Sequence, residues 1–342
     1  MILALDHWHI EPSSRCTLKC PRCPRAEVPE SLLNRQLTLK FFKEQIGENT
    51  VKNIKKITFC GNDGDPIYCS ELLDIISWIK KVNSTISLVI ITNGSYKSAE
   101  WWQHLAKLLN HYDEINWSLD GWDQTSNEHY RINCNWDSIQ TGIKTFFENN
   151  TSAYRVWSTI GFRFNQDRIK DMIEIAASQG FDLFQLTKST KFGSKYPNNY
   201  NFNDELEPTD LNLIASGHRF ERELFLLTKK LRFSESLKPI FAERAKELKN
   251  SPYSGICLIG NKGVFLNSRG EFYPCCWTAN RYEHNNDWIK KAESSFNLNI
   301  RDFAKIQNDD FWATEFLTFK WQECQTKCTR DRLNDEHHVL DW

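Results

Sequence analysis

The chain has 342 residues, of which 40% are hydrophobic, and its 43 Lys+Arg balance 44 Asp+Glu. This length and composition predict a soluble globular chain with one large domain and a smaller one, and they exclude disorder and collagen-like structure. The near-zero net charge gives no overall excess of positive charge for binding nucleic acid or an acidic membrane surface. The sequence also lacks a membrane-spanning apolar run and a signal peptide, which predicts a cytoplasmic protein without a membrane partner.

Short β-rich runs alternate with amphipathic helical stretches from residue 7 to about residue 190. This alternation is typical of βα units around a parallel sheet, and it predicts an α/β fold with about six such units. The predicted strands are His7–Glu11, Ile57–Cys60, Ile86–Thr92, Glu114–Leu119, Val156–Phe164 and Phe181–Thr187. The predicted helices include Ser70–Lys81, Ala99–Leu109, Asp137–Glu148 and Gln166–Gln179. Asp137 and Asn165 are the expected N-caps, and Gly180 is an expected C-cap.

The chain changes character after the last predicted strand. Residues 186–210 are polar and rich in Asn, Gly and Pro, which indicates a linker. Residues 207–250 carry helical periodicity, and the chain from Ser251 onward is dense in Cys, Trp and Asn. We therefore predict an α/β domain over 1–195, a linker and helical segment over 196–250, and a small domain organised around a metal over 251–342.

The chain has eleven cysteines, more than a protein in a reducing compartment carries without a function for them, such as metal ligation. Cys16, Cys20 and Cys23 form a C-x3-C-x2-C pattern in the loop after the first strand, and ligands gather at the carboxyl ends of parallel strands. Three thiolates satisfy three irons of a cubane and leave the fourth iron open to a small molecule. A zinc loop completed by His7 or His9 is the alternative.

A second cysteine group lies in the last quarter of the chain. Val264–Leu266 and Glu271–Tyr273 are predicted to form a hairpin around an Asn-Ser-Arg-Gly turn, with Cys257 before it and Cys275 after it. Cys324 and Cys328 bring the set to four thiolates, enough for a cluster without an open iron or for a structural zinc ribbon. Cys276 is then not needed as a ligand. It could replace Cys275 on the cluster, donate a hydrogen atom to a substrate radical, or simply be buried.

The first cysteine motif is followed by CGNDGDP at 60–66, TNG at 92–94 and SLDG at 118–121, each after a successive strand. In this order the segments resemble the radical SAM superfamily, whose core is a partial (β/α)6 TIM-like barrel. The resemblance implies a 4Fe-4S cluster on Cys16, Cys20 and Cys23, with S-adenosylmethionine (SAM) chelating the unique iron. It also implies SAM contacts from the glycine-rich loop, the ends of strands three and four, and strand five, namely Gly61, Asn62, Asp63, Gly64, Asp65, Asn93, Ser118, Asp120 and Gly161.

The tail resembles the SPASM and twitch extensions of radical SAM enzymes. That resemblance implies one auxiliary 4Fe-4S cluster on Cys257, Cys275, Cys324 and Cys328, acting as an electron relay. An electron donor such as flavodoxin or ferredoxin is the implied partner.

The resemblance implies an enzyme that cleaves SAM reductively and abstracts a hydrogen atom from its substrate. We expect a peptide or protein substrate. Because the cysteine loop begins at residue 16, a leader-recognising domain is expected on a separate chain. The alternatives are a dehydrogenase or epimerase of a small molecule such as a sugar or aminocyclitol, and an iron-sulfur redox sensor without SAM chemistry. Asp63, Asp120 and Arg163 are expected at the mouth of the barrel, but no catalytic residue is assigned.

Overall fold

The structure is a computed structural model that describes residues 7–23, 25, 34–188, 206, 216–219, 264–273, 275–276, 278–279 and 292–309. None of the helices within these ranges has the length and apolar character needed to span a bilayer. The predicted ligands Cys257, Cys324 and Cys328, and most of the 196–250 segment, lie outside the described residues. The division into 1–195, 196–250 and 251–342 stays a prediction.

Six parallel strands in sequence order form the centre of the sheet, and they confirm the predicted α/β fold with a partial barrel. Each strand is joined to the next by a helical connection. The strands are β1 His7–Ile10, β2 Lys56–Phe59, β3 Ser87–Thr92, β4 Glu114–Ser118, β5 Tyr154–Gly161 and β6 Leu183–Lys188. Because all six run in the same direction, the segments that follow them meet at one edge of the sheet.

Three further strands extend this sheet at its two ends. β7 (Ser216–Arg219) pairs antiparallel with β6, whereas β8 (Val264–Leu266) pairs parallel with β1. β9 (Phe272–Tyr273) pairs antiparallel with β8 and confirms the predicted hairpin. Its turn closes through the N–H of Gly270, which donates to the carbonyl of Asn267 at 3.0 Å and whose φ of 80° suits glycine. The tail hairpin is thus part of the sheet that carries the cysteine loop.

The helices of the described residues include the four predicted ones, and all but the last lie between strands. They are α1 Leu39–Phe41, α2 Gly47–Asn53, α3 Leu72–Val82, α4 Ala99–Leu108, α5 Gln124–Glu128, α6 Trp136–Asn149, α7 Arg163–Gln166, α8 Ile169–Gln179 and α9 Phe303–Gln307, with a π-helical turn at Phe42–Ile46 and a 3-10 turn at Pro66–Tyr68. Gly180 caps α8 in the left-handed conformation, which confirms that C-cap.

Two predicted N-caps are wrong. The cap of α6 is Asn135, whose side chain accepts the N–H of Ser138 at 2.8 Å, so Asp137 lies inside the first turn. Asn165 lies within α7, where its side chain accepts the N–H of Phe162, and α8 begins later, at Ile169. The end of the predicted fifth strand therefore forms a helical turn. Both positions offered several polar side chains capable of capping, and tertiary contacts decided between them.

The two faces of the sheet differ in chemistry. The side that packs on the helices is apolar, and Trp117 there contacts Phe146 and Phe181 edge-on, with ring centroids 5.7 Å apart in each pair. The alternate positions of the strands face the barrel interior and carry mainly polar side chains, among them His9, Thr58, Asn116, Ser118, Ser158, Gln185 and Thr187. The interior face therefore presents hydrogen-bonding groups next to a small apolar cluster of Tyr154, Val156 and Leu183.

A buried ion pair ties strands together at the amino-terminal edge of the sheet. Asp113 precedes β4, and its carboxylate accepts the N–H of Leu88 at 2.9 Å, the N–H of Asn110 at 2.7 Å and the ammonium of Lys80 at 2.5 Å. This cluster lies at the opposite end of the strands from the cysteine loop.

Candidate active site

The predicted cysteine triplet lies in the loop that follows β1. Cys20 is buried, and Cys16 and Cys23 are half-buried. The N–H of Cys23 donates to the carbonyl of Cys20 at 3.1 Å, which turns the loop back on itself. Burial raises the pKa of the Cys16 and Cys20 thiols to about 12 each, with the charge of Asp65 adding to the rise at Cys16. The thiols therefore need a metal to become thiolates at neutral pH.

The segment after β4 supports the cysteine loop from one side. The N–H of Lys19 donates to the carbonyl of Ile132 at 3.0 Å, and the side-chain amide of Asn133 donates to the carbonyl of Thr17 at 2.9 Å. Arg131 from the same segment carries a positive charge that opposes the rise of the Cys20 pKa. The loop is thus held by residues more than 100 positions further along the chain.

The glycine-rich loop after β2, residues 60–66, packs directly on the cysteine loop. The N–H of Asp65 donates to the carbonyl of Arg15 at 2.9 Å, and Arg25 donates to the carbonyls of Ser14 and Asp63. A Cβ atom added to Gly64 would lie 1.9 Å from the carbonyl oxygen of Ser13. Only glycine allows this approach of the two backbones.

Glu11 holds the same loop from inside the barrel, and sequence reasoning had assigned it no role. Its Oε1 accepts the N–H of Asp63 at 2.6 Å and that of Gly64 at 3.1 Å. Burial, and to a smaller extent the neighbouring Asp63, raise its pKa to about 8. Its one sequence signal is its position, because it continues the alternation of His7 and His9 on the interior face of β1.

Asp65 joins the glycine-rich loop to the end of β3. Its carboxylate accepts hydrogen bonds from the hydroxyl of Thr92 at 2.9 Å and from the backbone and side-chain N–H groups of Asn93 at 2.7 and 2.6 Å. The Asn93 amide also lies 3.7 Å from the sulfur of Cys16. Three predicted site segments, after β1, β2 and β3, therefore meet at one point.

The predicted residues at the ends of β4 and β5 take different positions. Ser118 is half-buried at the end of β4, and Gly161 is buried at the end of β5. Asp120 is fully buried, with one oxygen bonded to the N–H of Ile160 at 2.8 Å and the other to Arg131 at 2.6 Å. Arg163 is exposed on α7. Asp120 was expected at the mouth of the barrel, but both of its carboxylate oxygens are engaged in hydrogen bonds within the protein.

The tail reaches the site through Cys276. The side-chain amide of Asn62 donates to the Cys276 carbonyl at 3.1 Å, and Cys276 packs beside Phe265 and Tyr273. Cys275 is half-buried, and its carbonyl accepts the hydroxyl of Thr278 at 2.8 Å. Within the described ranges, no group of three or more His, Cys, Asp or Glu side chains is arranged to hold a metal ion.

His9, the proposed alternative zinc ligand, contacts the sulfur of Cys60 after β2. Burial lowers its pKa to about 4, so its imidazole is neutral at pH 7. His7 is buried two positions earlier on the same face of β1.

By donor type and by position in the fold, the residues present fit a cubane cluster with SAM beside it, although the three sulfurs are not gathered around a single metal ion. The cysteine loop supplies three soft sulfur donors, and a cubane with three protein thiolates leaves one iron for another ligand. The close approach of Gly64 and the Asn93–Cys16 contact place the glycine-rich loop and the end of β3 next to these donors.

Comparisons with known proteins agree with this geometry. The radical SAM superfamily matches residues 10–176. Streptococcus suis SuiB bound to S-adenosylmethionine is similar with a TM-score of 0.59 and 15% identity, over 94% of this chain and 70% of that chain. Native anSMEcpe with bound AdoMet and the Cp18Cys peptide is similar with a TM-score of 0.55 and 14% identity, over 95% of this chain and 88% of that chain. At such identities these structures show a shared fold. No match was found among curated protein sequences.

Proposed function

The radical SAM superfamily matches residues 10–176 of this chain, and from that premise we propose that the protein reductively cleaves SAM and abstracts a hydrogen atom from a peptide or protein. The cluster and SAM supply the radical chemistry when bound, because one electron from the cluster cleaves SAM to methionine and a 5′-deoxyadenosyl radical. The protein's own task is to hold SAM and substrate together and to exclude water.

The observation that carries this proposal is the junction of the cysteine loop with the glycine-rich loop. The N–H of Asp65 donates to the carbonyl of Arg15, the side chain of Arg25 donates to the carbonyl of Asp63, and Asn93 reaches from β3 to the sulfur of Cys16. In the proposal, Cys16, Cys20 and Cys23 hold the cluster, and the remaining residues contact SAM, namely Gly61, Asn62, Asp63, Gly64, Asp65, Asn93, Ser118 and Gly161. Asp120, which is paired with Arg131, orients this edge of β4 and β5 instead of acting as a free base.

The interior face of β4 to β6 supports a substrate with neutral hydrogen-bonding groups. The hydroxyl of Ser158 donates to the side-chain oxygen of Gln185 at 3.0 Å. Asn116 is only 7% exposed, and its side-chain oxygen Oδ1 accepts no hydrogen bond from the described residues. A buried amide oxygen without a donor is costly unless a ligand or water supplies one. Peptide N–H groups are donors of this kind, and a protein of similar fold, anSMEcpe, has a structure with both AdoMet and a peptide bound.

The auxiliary cluster is proposed on Cys257, Cys275, Cys324 and Cys328 as an electron relay. Its support is the position of the tail hairpin, which pairs with β1 and reaches the glycine-rich loop through Cys276. In a net oxidation the substrate would lose a hydrogen atom and a proton, and a cluster held by these cysteines would supply an acceptor for the remaining electron. Flavodoxin or ferredoxin is the proposed donor for the SAM-cleaving cluster.

Formation of 5′-deoxyadenosine tests the proposal. Anaerobically reconstituted protein, reduced with dithionite and given SAM, is expected to release it, and Cys16→Ala is expected to abolish the release. Cys69→Ala is the matched control, because Cys69 is also a free cysteine, buried more deeply than Cys16, and its thiol bonds to the carbonyl of Leu37 outside the site. A wild-type protein with full clusters and no SAM cleavage would instead be a redox sensor.

The second candidate is a dehydrogenase or epimerase of a small molecule, since the same neutral groups also suit hydroxyls of a sugar or aminocyclitol. Panels of peptides and of polyols, scored by 5′-deoxyadenosine formed above the substrate-free rate, separate the two. Stimulation by polyols alone would overturn the peptide assignment.

A further inference from the structure

Glu11 lies at the centre of the glycine-rich loop, and the backbone of that loop surrounds its carboxyl group. The side chain follows β1 and is 1% exposed. One oxygen, Oε1, accepts the N–H groups of Asp63 and Gly64 at 2.6 and 3.1 Å. Successive N–H groups that converge on one point form a concavity suited to an acceptor oxygen.

The loop is closed tightly around this oxygen. A Cβ atom added to Gly61 would lie 2.6 Å from Oε1 of Glu11 and 2.6 Å from the carbonyl oxygen of Gly64. The side chain at position 11 therefore sets how far the loop can bend toward β1. A shorter side chain would leave two converging N–H groups without their acceptor.

The remaining contacts restrain the loop from its outer side. Arg25 donates to the carbonyl of Asp63, the N–H of Asp65 donates to Arg15, and the amide of Asn62 donates to Cys276. These bonds fix the carbonyl side and the two ends of the loop. The N–H groups of Asp63 and Gly64 depend on Glu11, so its removal would free the centre of the loop while its ends stay attached.

We propose that Glu11 is a positioning residue that sets the conformation of the glycine-rich loop for binding SAM. This inference rests on the proposed function, because it takes the loop to be a SAM contact. Glu11 acts through the backbone of Asp63 and Gly64 and does not itself touch SAM.

The test compares Glu11→Ala with Glu11→Gln, which keeps an acceptor oxygen for both N–H groups. Glu11→Ala is expected to bind SAM about tenfold more weakly by equilibrium dialysis, the equivalent of one buried hydrogen bond. Its KM for SAM should rise more than its kcat falls, with unchanged iron content. Glu11→Gln should restore most of the affinity. Equal SAM affinity in Glu11→Ala and wild type would overturn the proposal, as would equal loss in both variants.

Amide hydrogen exchange gives a readout independent of SAM turnover. The amides of residues 63 and 64 are expected to exchange faster in Glu11→Ala and to stay protected in Glu11→Gln. If Glu11→Ala does not fold, Glu11→Asp serves, because its shorter side chain cannot reach both N–H groups. Unchanged exchange at residues 63 and 64 would overturn the proposal.

Asp113→Ala is the matched control, since Asp113 is also a buried acid that accepts two backbone N–H groups, at the other end of the strands. Asp113→Ala should lower the free energy of unfolding and leave SAM affinity unchanged. If Asp113→Ala loses as much SAM affinity as Glu11→Ala does, Glu11 has only a structural role. A wild-type protein that binds SAM without cleaving it would sink the proposed function, while the exchange and binding comparisons still decide the role of Glu11.

Discussion

Asp65 is expected to contribute more to stability than any exposed aspartate, because its carboxylate gathers donors from two loops. It accepts the N–H of Ile67 at 3.2 Å, the hydroxyl of Thr92 at 2.9 Å, and both N–H groups of Asn93 at 2.7 and 2.6 Å. All of these residues are buried. Asp65→Ala would therefore leave four donors facing an apolar methyl group.

The expected cost follows from the number of donors. An unsatisfied buried donor costs about 1–3 kcal/mol, and water entering the vacated space recovers part of it. We expect Asp65→Ala to lower the free energy of unfolding by about 3–6 kcal/mol, a large share of the roughly 5–15 kcal/mol of a typical domain. Asp65→Asn keeps one acceptor oxygen but turns an amide toward Asn93, so about 2–3 kcal/mol is expected.

Urea unfolding of the anaerobically reconstituted protein measures this difference as a shift of the midpoint at unchanged slope. Asp123→Ala is the control, because Asp123 is an exposed N-cap whose carboxylate accepts the N–H of Ser126 at 2.7 Å. Loss of such a cap costs about 1 kcal/mol. If Asp65→Ala costs no more than Asp123→Ala, the four hydrogen bonds do not stabilise the fold as argued.

Three further outcomes are expected. Burial raises the pKa of Glu11 to about 8. The folded state therefore keeps a proton on Glu11 that the unfolded state releases near pH 4. The stability that this proton contributes is lost as the pH rises toward 8. The urea midpoint of Glu11→Gln should therefore fall less than that of wild type between pH 6 and 9, and parallel curves would contradict this. Arg131→Met should cost about 3–5 kcal/mol by leaving Asp120 buried without its partner, and Asp120→Asn added to it should recover part of the loss; no recovery would argue against the pairing. Finally, Cys275→Ala should lower the iron content from about eight to about four per chain while Cys276→Ala leaves it unchanged, and the reverse result would exchange their roles.

Local sequence patterns were sufficient for the six central parallel strands, the tail hairpin and four of the helices. Strands β1 to β6 were predicted within a few residues, because β-rich runs alternating with amphipathic stretches leave few other arrangements. The same patterns placed the cysteine loop after β1, since strand direction alone sends that loop to the carboxyl edge. Caps were predicted less well: Asp137 and Asn135 both have capping side chains, and the sequence does not reveal which one begins the helix.

The contacts that turn these segments into a site were decided only by the tertiary structure. The Glu11–Asp63 bond, the Asp65–Asn93 bonds and the Asn62–Cys276 bond join residues 52, 28 and 214 positions apart. The pairing of β8 with β1 brings the tail to the glycine-rich loop in the same way. A period of two or of 3.6 residues reports which face a side chain occupies, but it carries no information about a partner on another strand. Burial made Glu11 and Asp120 structural partners of backbone groups, and burial is a property of the whole fold.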